Sequence, residues 1–84
     1  MRQLRDWSLI ESKGRKQITK DFKFKNFKEA MVFVNKIANL ADHESHHPNI
    51  YIHYNRVRLI LYTYVIGGLH ENDFILAAKI DDLD

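Results

Sequence analysis

Apolar residues recur along this chain with two periods, one characteristic of strands and one of helices. Side chains alternate faces in a strand and return every 3.6 residues in a helix. From Gln17 to Phe24, Ile18, Phe22 and Phe24 fall on one face with Lys20, while Gln17, Thr19, Asp21 and Lys23 fall on the other. That predicts a strand. The segment from Trp7 to Ser12 predicts its partner, with a turn over Lys13 to Lys16. The period then changes. Phe27, Ala30, Met31, Val34, Ile37, Ala38 and Ala41 recur at helical spacing, behind Asn26 as N-cap and Glu29 three residues later. That pair is a capping-box arrangement. Phe33 and Leu40 lie off the centre of this stripe, so the apolar surface is wider than one sheet contact requires. It predicts either a broad core face or a helix that also packs on a partner subunit.

A second hairpin follows. Ile50, Ile52 and Tyr54 alternate with Tyr51 and His53, and Val57, Leu59 and Leu61 alternate with Arg58, Ile60 and Tyr62. Asn55-Arg56 is the expected turn, and Gly67-Gly68 ends the pattern. A last helix is expected from about Glu71 to Ile80, with Phe74, Ala77, Ala78 and Leu83 facing inward. His70 falls at its N-cap, where Ser, Thr, Asp or Asn would serve better. The order β-β-α-β-β-α predicts an α+β fold: a four-stranded antiparallel sheet with helices packed on one face.

Length and composition narrow the classes. Eighty-four residues make one domain, residues 1–84, small enough that self-association would help it. The absence of cysteine excludes disulfides and thiol nucleophiles and agrees with a cytoplasmic location. Thirteen basic against eleven acidic residues leave a net charge of +2, so nothing points to a nucleic acid. The basic cluster Lys13-Gly14-Arg15-Lys16 reads as a solvated turn. No apolar run is long enough for a membrane helix, and Met1 to Asp6 lacks the apolar core of a signal peptide.

The chemistry concentrates at His46-His47-Pro48, with Asp42 four residues before. A residue before proline is driven out of the α region, so His47 is expected to leave the preceding helix and sit on a rigid loop. Imidazole titrates near neutrality, which suits proton transfer, metal binding or a polar clamp. Asp42 and His46, at i and i+4, are expected to share a helix face. His43-Glu44-Ser45-His46-His47 formally matches the zinc motif H-E-x-x-H. That motif requires both histidines on one face of a continuing helix and a third ligand. Pro48 follows at once and no third ligand is evident, so no metal is expected.

Asp42, His46, His47, Pro48, Tyr54 and Asp73 stand at spacings that resemble the signature of the pterin-4a-carbinolamine dehydratases. The flanks are similar too: Trp7 at the first strand, Phe24-Lys25-Asn26-Phe27 at the helix entry, and Gly68-Leu69 before Asp73. The resemblance covers the chain from Trp7 to about Leu83. It implies dehydration of 4a-hydroxytetrahydropterin to quinonoid dihydropterin, with hydroxide leaving C4a and a proton leaving N5, and no cofactor. By the same resemblance His46, His47 and Tyr64 form the catalytic set. His46 is the better candidate for proton transfer and His47 for holding the pterin. Asp42, Pro48, Asp73 and Trp7 would bind substrate, with Asp42 orienting the His46 ring or binding the pterin's amino group, Asp73 near the mouth and Trp7 flanking the pterin. A homodimer or homotetramer is implied as well.

Two departures stand out. Tyr64 occupies the place of a third histidine, or in some members a tryptophan. A phenol stays protonated at neutral pH and is a poor general base, so weakened activity is expected. The family's usual N-terminal helix has no counterpart before Trp7. The alternative is a catalytically weak pterin-binding or protein-interaction module of the same fold.

Overall fold

The computed structural model describes residues 6–83. The expectation of a missing N-terminal helix concerns the segment before Trp7, and residues 1–5 of it lie outside the described residues. The elements are β1 (Ser8–Ser12), β2 (Arg15–Lys23), α1 (Phe27–Glu44), β3 (Asn49–His53), β4 (Arg56–Leu61) and α2 (Glu71–Asp81), with a short 3-10 turn at Tyr64–Ile66 before α2. The strands form one antiparallel sheet in the order β1-β2-β4-β3. Fold class and element order are therefore as the periodicity predicts.

The register explains the layering. Ile18 pairs with Leu61, Lys20 with Leu59 and Phe22 with Val57, so one sheet face is almost wholly apolar. Both helices cover that face. Ala30, Phe33 and Ile37 of α1 and Leu76, Ala77 and Ile80 of α2 join Ile18, Phe22, Val57, Leu59 and Leu61 in one buried cluster. Phe33 contacts both Phe22 and Phe24, at centroid distances of 4.7 and 5.0 Å. Removing such a ring costs about 3–5 kcal/mol.

The helix faces differ from those predicted. In α1 the buried stripe is Ala30, Phe33, Ile37 and Ala41, while Phe27 and Ala38 face solvent. The width of the apolar surface hid its centre, which the Phe22-Phe24-Phe33 aromatic contacts fix. In α2 the buried stripe is Asp73, Leu76, Ala77 and Ile80, and Phe74 is exposed. Sequence apolarity alone favoured Phe74. A buried, fully bonded aspartate turns the helix the other way.

The hairpin turns are also shorter or shifted. Lys13 and Gly14 both take positive φ, 54° and 77°, the backbone a two-residue hairpin favours. The second turn is Tyr54-Asn55, not Asn55-Arg56, with Tyr54 at φ 55°. Asn55 holds it there, its side chain donating to the Phe24 carbonyl at 2.9 Å. Tyr54 thus stands exposed at a hairpin tip.

Candidate active site

Helix α1 sets the position of the histidine pair by the way it stops. Asn26 caps its start, accepting the Glu29 N–H at 2.9 Å as predicted. At the other end Ser45 takes a left-handed conformation, φ 54° and ψ 36°. The His46 N–H folds back on the Ala41 carbonyl at 3.2 Å, a Schellman-like closure achieved without glycine. His46 is consequently off the helix, one residue earlier than the proline rule alone requires.

That exit changes the expected pairing. Asp42 and His46 do not share a helix face. Asp42 Oδ1 instead lies 2.9 Å from His47 Nε2, on the exposed side of the loop. His46 turns inward, and its Nε2 lies 2.5 Å from Asp73 Oδ1. The His46 side chain is 20% exposed and that of Asp73 0%. Asp73 is therefore behind the histidine rather than at the mouth of a site.

Asp73 is satisfied at every lone pair that matters. Its Oδ2 accepts the Thr63 hydroxyl at 2.8 Å and the His70 N–H at 2.9 Å. His70 is the N-cap of α2, and its Nδ1 accepts the Asn72 N–H at 3.1 Å. With Asp73 at the third helical position this forms a capping box, with imidazole in the role of the usual hydroxyl. A buried carboxylate without partners would be costly; three donors and a helix N-terminus offset that cost. With both neighbours of Oδ2 donating, the carboxylate also accepts from His46. An ionised carboxylate has no proton to give, so a charged Asp73 requires the His46 ring to donate from Nε2.

Beside His46 lies a cleft of about 130 Å³, lined by Glu44, Ser45, His46, Asn72, Ile75 and Leu76. It is open to solvent and bordered by charge. Lys79 Nζ lies 2.6 Å from Glu44 Oε1, and this ammonium holds the Glu44 carboxyl below the usual carboxylate range.

Three other singled-out residues have surroundings of their own. Pro48 is half-buried and leads directly into β3. Tyr64 opens the 3-10 turn, is 75% exposed, and sets its ring 5.5 Å from the Arg15 guanidinium. Trp7 donates its indole N–H to both oxygens of Asp81 at 3.1 Å and packs edge-on against Phe22. Asp81 is eight residues beyond Asp73 on α2, about 12 Å along the helix axis. Trp7 is thus anchored at the opposite end of that helix from the His46 pair.

The metal motif does not assemble. Helix α1 ends at Glu44, so His43 and His47 do not lie on one continuing helical face. Among the described residues no three His, Cys, Asp or Glu side chains group to hold a metal ion. Also among them, no helix is long and apolar enough to cross a membrane. Thr63 gave little sign of itself in the sequence. His70 stands at the N-cap as the sequence places it, and its ring serves there in spite of being a less usual cap than Ser, Thr, Asp or Asn.

Comparison with known proteins agrees with this architecture. The family model described as pterin 4 alpha carbinolamine dehydratase matches residues 1–83. A protein of Saccharophagus degradans named "Putative pterin-4-alpha-carbinolamine dehydratase" is 47% identical over 77 residues, 92% of this chain and 68% of that protein. One of Marinobacter nauticus with the same name is 46% identical over 78 residues, 93% of this chain and 70% of that protein. The crystal structure of a transcriptional coactivator/pterin dehydratase from Brucella melitensis superposes with a TM-score of 0.85 at 36% identity, covering 95% of this chain and 83% of that one. A pterin dehydratase-like protein identified as a RuBisCO assembly factor in the alpha-carboxysome shares the fold, with a TM-score of 0.78 at 22% identity, covering 94% and 89% of the two chains.

Proposed function

The chain belongs to the pterin 4 alpha carbinolamine dehydratase family, and from that premise we propose that it dehydrates 4a-hydroxytetrahydropterin to quinonoid dihydropterin, as a hydro-lyase, with His46 moving the proton. The observation that carries this reading is the contact of His46 Nε2 with the buried Asp73 carboxylate at 2.5 Å, beside an open cleft. It supports Nδ1 of His46 as the base that takes the proton from N5.

The balance is simple. The N5–H bond breaks and its electron pair forms the C4a–N5 double bond. The C4a–O bond breaks, and the oxygen leaves as water after taking a proton from solvent in the open cleft. Asp73 stabilises the imidazolium formed at His46 and then the ring returns its proton to solvent. Such acid–base assistance contributes roughly 10²–10⁴-fold.

His47, braced by Asp42, is proposed to hold the polar edge of the pterin, with Pro48 fixing the loop. Trp7 is left out of this proposal, because its indole is bonded to Asp81. The same proposal includes self-association. Phe27 and Val32 on α1, and Tyr51 and Ile52 on the edge strand β3, remain exposed. Sedimentation at micromolar concentration tests that part, and a monomer contradicts it.

A stopped assay with chemically generated 4a-hydroxytetrahydropterin tests the reaction. His46→Ala is expected to lose most of the turnover above the spontaneous rate. Unchanged turnover would overturn the assignment.

A further inference from the structure

We propose that Thr63 is a positioning residue for this site, the group that holds Asp73 in the one orientation that fixes the His46 ring. It rests on the reading of His46 as the proton-transfer group and deepens it, because Thr63 reaches the reaction only through Asp73. Three observations carry it.

The first is that Thr63 is itself immobilised. It forms an isolated antiparallel bridge with Gly68, its N–H donating to the Gly68 carbonyl at 2.7 Å and its carbonyl accepting the Gly68 N–H at 3.4 Å. The segment between them winds into the 3-10 turn, which closes through Gly67 at φ 64° with its N–H on the Tyr64 carbonyl. The Thr63 backbone is thus clamped across a loop, and its hydroxyl points from a fixed base.

The second is the division of labour on the Asp73 carboxylate. Thr63 Oγ1 and the His70 N–H both occupy Oδ2, at 2.8 and 2.9 Å. The carboxylate cannot rotate about its Cβ–Cγ bond without breaking both. Oδ1 is therefore reserved for His46. The His70 N–H belongs to the backbone of the helix cap and is present in any sequence. Thr63 supplies the side-chain half of the clamp.

The third is that the clamp is not a cap in the ordinary sense. His70 already caps α2 through its own ring. The Thr63 hydroxyl adds nothing to the helix end that the capping box lacks, so its contact with a fully buried carboxylate acts on His46.

The test uses Thr63→Val, which keeps the branched shape and removes the donor, against Thr63→Ser, which keeps the donor. Long-range ¹⁵N–¹H correlation spectra read the His46 tautomer directly. The wild-type chain and Thr63→Ser are expected to show an Nε2-protonated ring, and Thr63→Val a mixture of tautomers. In the dehydratase assay kcat should fall roughly tenfold in Thr63→Val with KM unchanged, the scale of one lost hydrogen bond to a charged group, and return in Thr63→Ser. Should the valine pack badly, Thr63→Ala removes the hydroxyl without a clash and takes its place. A His46 ring that stays Nε2-protonated in the hydroxyl-free variant overturns the proposal. Equal impairment of the serine and valine variants overturns it too, since the methyl group would then be what matters. The spectra need no turnover. A chain that dehydrates no pterin refutes the proposed function, while the tautomer comparison still decides the role of Thr63.

Discussion

His46 and Asp73 lie twenty-seven positions apart in the chain and 2.5 Å apart at the site. Each is placed by the end of a helix: His46 by the left-handed stop of α1 at Ser45, Asp73 by the capped start of α2. The pair is therefore a joint between two helix termini, and the placing of the His46 ring depends on both ends being well formed. It also explains why α2 buries an aspartate while exposing Phe74.

Replacing that carboxylate separates its two roles. Asp73→Asn keeps the size but removes the charge, and can present an N–H where His46 needs an acceptor. The dehydration rate should fall about 10²–10⁴-fold, the range expected when a base loses its orienting partner. Asp73→Ala additionally leaves the Thr63 hydroxyl and the His70 N–H without their acceptor. It should cost about 3 kcal/mol in urea unfolding. A rate loss in Asp73→Ala that exceeds the one in Asp73→Asn by no more than its folding defect explains would confirm that charge, not packing, serves the reaction.

Tyr64 stands next to Thr63 in sequence but turns its exposed ring toward Arg15. The resemblance of the sequence implies a third histidine, or in some members a tryptophan, at this position. A phenol at this place is a hydrogen-bond donor at neutral pH and a poor base. Tyr64→His should raise the dehydration rate by about tenfold, measured in the same stopped assay at one pH. An equal or lower rate would contradict the weakening assigned to Tyr64.

Much of this was legible beforehand, and what was not has identifiable physical causes. Strand alternation marked Ile18, Phe22, Val57, Leu59 and Leu61, because period two leaves little ambiguity about which face is buried. The helix faces were harder. Phe27 and Phe74 are as apolar as Phe33, and only tertiary contacts decide which ring turns inward. The partner exchange at the site was illegible for a sharper reason. Helical spacing paired Asp42 with His46, but one left-handed residue, Ser45, broke that spacing before it applied. Thr63 and Asp73 meet through a loop that no local pattern encodes.

The open sheet face carries a charge pair whose pH dependence has a definite sign. Arg58 Nε lies 2.7 Å from Asp21 Oδ1 across adjacent strands, and that hydrogen bond holds the Asp21 carboxyl below its ordinary value of 3.8. A carboxyl depressed in the folded state contributes stability above its unfolded value. That contribution fades as pH falls through the folded value. Both side chains are mostly exposed, so salt screens the effect. Carbon-detected titration of Asp21 should show its midpoint rising toward the ordinary value in Arg58→Ala, and rising less at 1 M salt. A midpoint unmoved by the substitution would assign the shift to something other than Arg58.

Ser45 holds the most consequential backbone conformation in the chain, since it releases His46 from α1. At φ 54° a side chain crowds the following carbonyl, at a cost of about 1–2 kcal/mol that glycine avoids. Glycine loses part of that gain through its looser unfolded chain. Ser45→Gly should therefore stabilise the protein by about 1 kcal/mol net, read as a higher urea midpoint at unchanged slope. Ser45→Ile tests the same cause with the opposite sign, because a β-branched residue tolerates positive φ worst. It should lower the midpoint and disturb the His46 ring resonances. If glycine and isoleucine shifted stability in the same direction, the side chain of Ser45, not its backbone angle, would be what terminates the helix.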